Sequence, residues 1–300
     1  MCVVHHADRW NTKDYCRQFA PWLENNRLSF LLLSSHTLEF FRDKGMTKWT
    51  PEVRAKAQQN LRSLAPVFPV DIPPLPPTSP QNMLSISTDK NKVQSISTPK
   101  PPSDMYFALQ GNYEAHRRDF KTVFSNMKAL ANSHDPPPSP SDGLDEQQGN
   151  PHIYLQLLGS GQRPNVPDSI RKSIIFRDRL DYKPFYDYLS ESLAMIPAFA
   201  TLEYYDRKAS STVPASLIAG TPIISVKNLT DAYTYIGEDN VYQPKEGEND
   251  LDVMRRIIQM PWDERIEMQR KVRHRCNDLI QENIHTVGQW LKDIAQQLGK

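Results

Sequence analysis

Short apolar runs alternate along most of the chain with stretches in which apolar positions recur every three or four residues. Met1–His5 and Ser29–Leu33 are runs of strand length, while Asp14–Glu24 and Thr50–Leu64 carry helical spacing. Met105–Leu109 predicts another strand, and Ala115–Ala131 a helix whose Phe120, Val123, Phe124, Met127 and Leu130 share one face. Further strands are predicted at Ile153–Leu158, Ser173–Phe176, Ala194–Pro197 and Pro222–Ser225, with helices at Tyr182–Glu191, Pro214–Ala219 and Asp250–Met260. Strands apolar on both faces and separated by helices belong in a parallel sheet with helical crossovers. Residues 104–260 therefore read as a doubly wound α/β domain, preceded by a shorter stretch of the same alternation over 1–77.

The last segment, Trp262–Leu298, is one long amphipathic helix or a broken pair. Its Met268, Val272, Cys276, Ile280, Ile284, Val287, Leu291, Ile294 and Leu298 follow at steps of three or four, so one face needs cover from the rest of the protein. Residues 261–300 are expected to pack back on the N-terminal segment. Two stretches break the alternation. There are 25 prolines against 11 glycines, and they cluster: dense over Pro66–Pro80, and again in SHDPPPSPSDGLDEQQGNP at 133–151. Residues 78–103, rich in Ser, Thr, Pro, Lys and Asn, cannot offset their ordering entropy by burial and are expected to form a flexible linker; 133–151 is expected to be a surface loop.

Composition narrows the function classes. With 36 basic and 35 acidic residues the net charge is +1, so no overall field favours nucleic acid or a membrane surface. Cys2, Cys16 and Cys276 are odd in number and far apart, which fits neither a disulfide framework nor zinc-ligand spacing; reduced thiols and a cytoplasmic location are expected. Apolar runs such as Phe30–Leu33 are far short of the roughly 20 residues that span a bilayer.

The segment with most chemistry is KASSTVPASLIAGTP, Lys208–Pro222. Ser210, Ser211 and Thr212 supply hydroxyls and backbone N–H groups at a helix start, Pro214 suits the first turn, and Gly220 suits the helix end. Such a start favours a phosphate through its unsatisfied N–H groups and the positive end of the helix dipole, and Lys208 adds a full charge. Capping of a crossover helix is the competing reading of the same residues.

A helix leading into A-G-T-P and a short apolar strand resembles the C-terminal domain of GT-B glycosyltransferases, whose sucrose-synthase-like members read E-A-M-A-x-G-x-P-V-I. LLGSGQ at 157–162 resembles their L-x-G-x-G, IIFRDRL at 174–180 their V-x-F-x-G strand, and FALQGNYEAHRRDF at 107–120 their opening F-V-G-R-L-x-x-x-K-G. The run KASSTVPASLIAGTP is similar to one in fungal glycosyltransferase-like proteins. The resemblance implies a Rossmann-like nucleotide-sugar domain with a partial second Rossmann-like domain, and a nucleoside diphosphate sugar as donor substrate with no other cofactor and no obligatory metal. It implies that Gly111 takes the glycine position of the diphosphate loop and Arg117 or Arg118 the lysine position, while Asn112 stands where the family has arginine. Gly159 and Gly161 would allow close approach of the nucleotide, and Arg177, Asp178 and Leu180 occupy the region of the base. Where the family has two glutamates, alignment on Gly220 puts Arg207 and Ala215; Glu203 and Asp206 lie nearby. VVHHAD at 3–8 is similar to the strand-end histidine that lines the cleft in many such enzymes, which places His5 or His6 opposite the donor sugar, with His6 taken as the catalytic candidate.

Two function classes follow: transfer of a sugar from a nucleoside diphosphate sugar to an acceptor, or a non-catalytic nucleotide-binding module that has lost the carboxylates. A third, an NAD-dependent reductase using GSGQRP as its dinucleotide loop, is excluded because Pro164 and Pro167 fall where that motif needs uninterrupted helix.

Overall fold

Apolar strands place the chain's core around two parallel sheets. The computed structural model describes residues 1–76, 104–132 and 152–298; the expected linker at 78–103 and the expected loop at 133–151 lie outside the described residues. In the smaller sheet, β1 (Cys2–Val4), β2 (Phe30–Leu32) and β3 (Leu61–Ser63) pair in parallel in the order β1-β2-β3, with Cys2 opposite Phe30 and Phe30 opposite Leu61. Their crossovers are α1 (Lys13–Glu24), capped by the Thr12 hydroxyl, then α2 (Ser35–Phe40) and α3 (Pro51–Gln59). The helix expected over Thr50–Leu64 stops at Gln59. Leu61 and Leu64 continue the helical spacing, but the backbone of 61–63 instead completes the ladder with β2, where the Phe30 N–H donates to the Asn60 carbonyl.

The larger sheet holds β4 (Asp104–Gln110), β5 (His152–Gly159), β6 (Ile174–Asp178), β7 (Ala194–Met195), β8 (Ile223–Ile224) and β9 (Val241–Tyr242), all parallel, in the order β6-β5-β4-β7-β8-β9. Successive side chains of β4 point to opposite faces. Phe107 and Leu109 join one core with α4 (Phe120–Asn132) and α9 (Asp250–Gln259), while Ala108 joins another with α5 (Tyr182–Ser190), α7 (Thr212–Ala219) and α10 (Trp262–Leu298). The five apolar residues predicted to share a face of α4 are all buried. The short helices α6 (Glu203–Asp206) and α8 (Lys227–Ala232) follow β7 and β8 and, like β9, carry too few apolar residues to show a period. The α4 helix starts five residues later than its pattern suggests: the Asp119 carboxylate accepts the Thr122 N–H and hydroxyl, so the helix is capped there and residues 115–118 remain in the preceding loop.

Helix α10 is continuous over 37 residues. Its Val272, Cys276 and Leu279 enter the core beside α7, Arg273 donates to the Pro73 carbonyl, and Asn283 to that of Ala65. Beyond Asn283, Trp290 packs under Arg62, but Ile284, Val287, Leu291 and Ile294 stay exposed. The expectation that the whole stripe is covered therefore fails over its last turns. No described helix is long and apolar enough to cross a membrane.

Candidate functional site

The sheet order runs outward one way through β4, β5 and β6 and the other way through β7, β8 and β9, so the carboxyl ends of β4 and β7 flank the point where the order reverses. In open parallel sheets that crevice is where ligands bind. The β4 loop turns at Gly111, whose φ of 128° is a conformation that side chains disfavour. Gly159 lies against it so closely that a Cβ there would overlap the Gly111 carbonyl. Gly161 packs on Tyr113, whose hydroxyl donates to the Leu157 carbonyl at 2.8 Å. These glycines serve backbone-to-backbone packing of the loops after β4 and β5. Asn112 is exposed and accepts from the Ser160 hydroxyl.

Because α4 starts late, Arg118 lies in the loop and turns back into the crevice. Its Nη2 donates to the Gln110 carbonyl at 2.7 Å and to the Thr212 hydroxyl at 2.9 Å, and its Nη1 to the Pro197 carbonyl at 2.9 Å. The residue is 4% exposed, its Nε is buried without a partner among the described residues, and its acceptors are all uncharged; burial draws its pKa down to about 10. The Gln110 side chain completes the junction, accepting from the Thr212 hydroxyl and donating to that of Ser211. Ser210 is held from behind: its N–H donates to the Tyr233 hydroxyl, which donates to the Tyr204 carbonyl, and its own hydroxyl accepts the Thr212 N–H. The start of α7 is thus fixed by β4, by Arg118 and by Tyr233, and of its residues Ser211 is the exposed one.

The other cations expected at a diphosphate are engaged elsewhere. Lys208 Nζ is 2.7 Å from the Glu203 carboxylate, which also takes Arg207 at 2.8 Å; the hydrogen bond from Lys208 leads in holding the Glu203 carboxyl below its ordinary pKa. Arg117 donates to the Tyr204 hydroxyl at 2.8 Å and lies 3.5 Å from Glu114. Around β6, Arg177 stacks on the Tyr188 ring and donates to Gln156, Asp178 is paired with Arg163, and Leu180 packs half-buried beside α5. The structure therefore brings Gly111, Arg118, Ser210, Ser211 and Thr212 to one junction, with Gly159 beneath it, and turns Arg117, Arg177, Asp178 and Lys208 to other partners.

The smaller sheet presents its carboxyl end to this junction. His6 forms an isolated antiparallel bridge with Lys208; its Nδ1 is buried without a partner, and burial, then Arg9 and Lys208, hold its pKa below the ordinary value. His5 instead lines a cleft with Leu33, Pro66, Phe68, Tyr186, Ser210, Ser211 and Pro214. His36, at the start of α2, reaches the Ala232 carbonyl through Nδ1 at 2.8 Å and the Lys208 carbonyl through Nε2 at 3.2 Å. Gln110, His36 and Tyr233 were not expected here. Their partners are backbone groups or residues far away in the chain, so no local spacing signals them.

Solved structures share this fold. The chain superposes over 99% of its length, and 67% of the other chain, on sucrose-phosphate synthase from Thermosynechococcus elongatus, with a TM-score of 0.56 and 12% identity. A glycosyltransferase from Rickettsia africae matches over 94% of the chain and 68% of its own, at TM-score 0.53 and 9% identity. HepE from Anabaena, in complex with UDP, matches over 96% and 72%, at TM-score 0.50 and 9% identity. The chain has the GT-B fold. No protein-family model matches it, and no curated protein matches it in sequence.

Proposed function

We propose that this protein is a glycosyltransferase that takes a sugar from a nucleoside diphosphate sugar held in the cleft between α7 and the carboxyl end of the smaller sheet. The observation that carries this reading is the junction at the sheet's reversal point: a helix start with exposed Ser211 and a buried, acid-free Arg118 directly behind it. A helix start and an uncompensated buried cation both favour an anion at that spot. In this reading the diphosphate rests on Ser211, Arg118 acts on it as a nearby charge, the base lies toward Phe68 and Tyr186, and His5 faces the donor sugar. Stabilising the departing diphosphate is the main electrostatic task of such a site. The complex of HepE with UDP is support for a uridine diphosphate as the first nucleotide to test.

A second reading, a nucleotide-binding module without turnover, is favoured by Arg207 and Ala215 at the places of the family's two glutamates and by the engagement of Glu203 with Lys208 and Arg207.

Calorimetry with UDP and GDP tests the binding step. Ser211→Asp is the informative variant, because aspartate suits a helix start and preserves folding while placing a negative charge against the diphosphate. The expected result is binding by the parent chain and at least a tenfold loss in the variant, about 1.4 kcal/mol. Equal binding by both would move the phosphate site elsewhere, and no binding by the parent would end the donor reading. Release of free sugar from the donor then separates enzyme from binding module.

A further inference from the structure

Leu33 and Ser34, and again Ala65 and Pro66, are chain neighbours that line opposite cavities. Leu33 and Pro66 face the cleft at α7, whereas Ser34 and Ala65 line a second pocket of about 180 Å³ bounded by the carboxyl ends of β2 and β3, by α10 and by the loop at Thr234. The second pocket is walled by hydroxyl and amide groups of Ser34, Ser35, Ser63, Thr234, Asn283 and Thr286, over a floor that includes Leu64 and Leu279. Ser35 is anchored on the Ala232 carbonyl and the Thr234 hydroxyl, each at 3.1 Å, and Asn283 on the Ala65 carbonyl at 2.8 Å. The hydroxyls of Ser63 and Thr286 have no partner among the described residues, which leaves donor and acceptor capacity directed to solvent or a ligand.

Charge narrows what fits. Among the described residues no lysine or arginine lines the pocket, and the one carboxylate among them, Glu282, is paired with Arg275 at 2.8 Å. A phosphate would find no cation here and a cationic ligand only a neutralised acid. Side chains that each both donate and accept, above a patch of leucine, suit a molecule with hydroxyls around its edge and C–H groups on its face. At about 180 Å³ the pocket matches the α7 cleft in volume, so it is the missing cation in its lining that sets a neutral ring apart from a nucleotide here.

We propose that this pocket binds one neutral sugar ring, on the opposite side of the β2 and β3 ends from the α7 cleft. The two sites share a rim but no lining residue. A sugar held here does not take part in bond breaking; it anchors a carbohydrate whose remaining units lie outside the pocket. The inference is independent of the donor reading and is tested without nucleotide.

Saturation-transfer NMR on the full chain, with a panel of neutral methyl pyranosides, tests it. Transfer to at least one pyranoside is expected, with affinity reduced at least tenfold in both Thr286→Trp and Ser63→Trp and unchanged by added UDP. Both positions lie at the pocket rim and neither is buried, so circular dichroism should match the parent. The proposal is overturned if the parent shows no transfer, if binding survives both tryptophans, or if UDP displaces the sugar, which would place it in the α7 cleft.

Discussion

The Arg118 guanidinium donates to the Thr212 hydroxyl at 2.9 Å, tying the loop after β4 to the start of α7 across the point where the sheet order reverses. This bond closes the crevice from within, because Arg118 also holds the Gln110 and Pro197 carbonyls. Replacing it with methionine keeps the bulk but leaves those acceptors without their donor. A loss of roughly 2–4 kcal/mol in urea-unfolding stability is expected, since each buried orphaned group costs about 1–3 kcal/mol and Thr212 can still pair with Gln110. Arg118→Lys should recover less than half, because an ammonium on a flexible stem cannot match a planar fork. A methionine variant as stable as the parent would show that the crevice is held by other contacts.

Gly159 has no space for a side chain, because the Gly111 carbonyl occupies the Cβ position. Backbone gives way less readily than a side chain, so Gly159→Ala should cost about 3 kcal/mol or more, at the upper end of overpacking effects. Thermal melts of Gly159→Ala beside Gly237→Ala, where nothing lies within 4 Å, measure the contrast. Equal melting temperatures would refute the close approach.

His36 and His6 set the acid sensitivity. Burial is the leading cause that holds both pKa values below the ordinary histidine value of ~6.5, although the carbonyls at Ala232 and Lys208 pull His36 back up. The unfolded chain therefore binds more protons in this range, and folding stability rises with pH. Their contribution is complete above about pH 6.5 and is lost as pH falls through the depressed folded values. Denaturant midpoints should begin to drop below about pH 6.5, ahead of the paired carboxylates such as Glu203, and the His6→Gln, His36→Gln chain should show a flatter profile. An unchanged profile in that double variant would assign the acid loss to other groups.

The last turns of α10 carry Ile284 and Leu291 at 61% and 62% exposure, with Val287 and Ile294 between and beyond them. Charging exposed positions removes apolar surface without opening a cavity. Ile284→Lys with Leu291→Lys should leave the melting temperature unchanged and reduce concentration-dependent association in light scattering. Leu279→Lys, buried in the core beside α7, should abolish cooperative unfolding. A large stability loss from the first pair would mean that the stripe is covered.

Apolar runs and helical faces made most of this fold legible, because buried parallel strands and amphipathic crossovers leave strong periodic signals: β4, β5, α5 and α9 fall within a residue of their patterns. The strand at 61–63 was hidden because Leu61 and Leu64 prolong the helical spacing of α3, and only pairing with β2 decides between the two. At the site, the hydroxyls of Ser210–Thr212 and the glycine at 111 could be read directly. The fate of the cations could not. Whether Lys208, Arg117 or Arg118 faces the crevice depends on Glu203, Glu114 and the late capping of α4 at Asp119, none of which leaves a periodic trace.

The two sheets are also stitched along their backbones, where the Ala7 N–H donates to the Arg207 carbonyl at 3.1 Å and the Ala209 N–H to that of His5 at 3.2 Å. A hinge that opens the α7 cleft must break these two backbone hydrogen bonds or carry both partners together. The exchange of two individual protons with heavy water is thus a gauge of how often the halves part, built into the chain and readable without any ligand, label or assay.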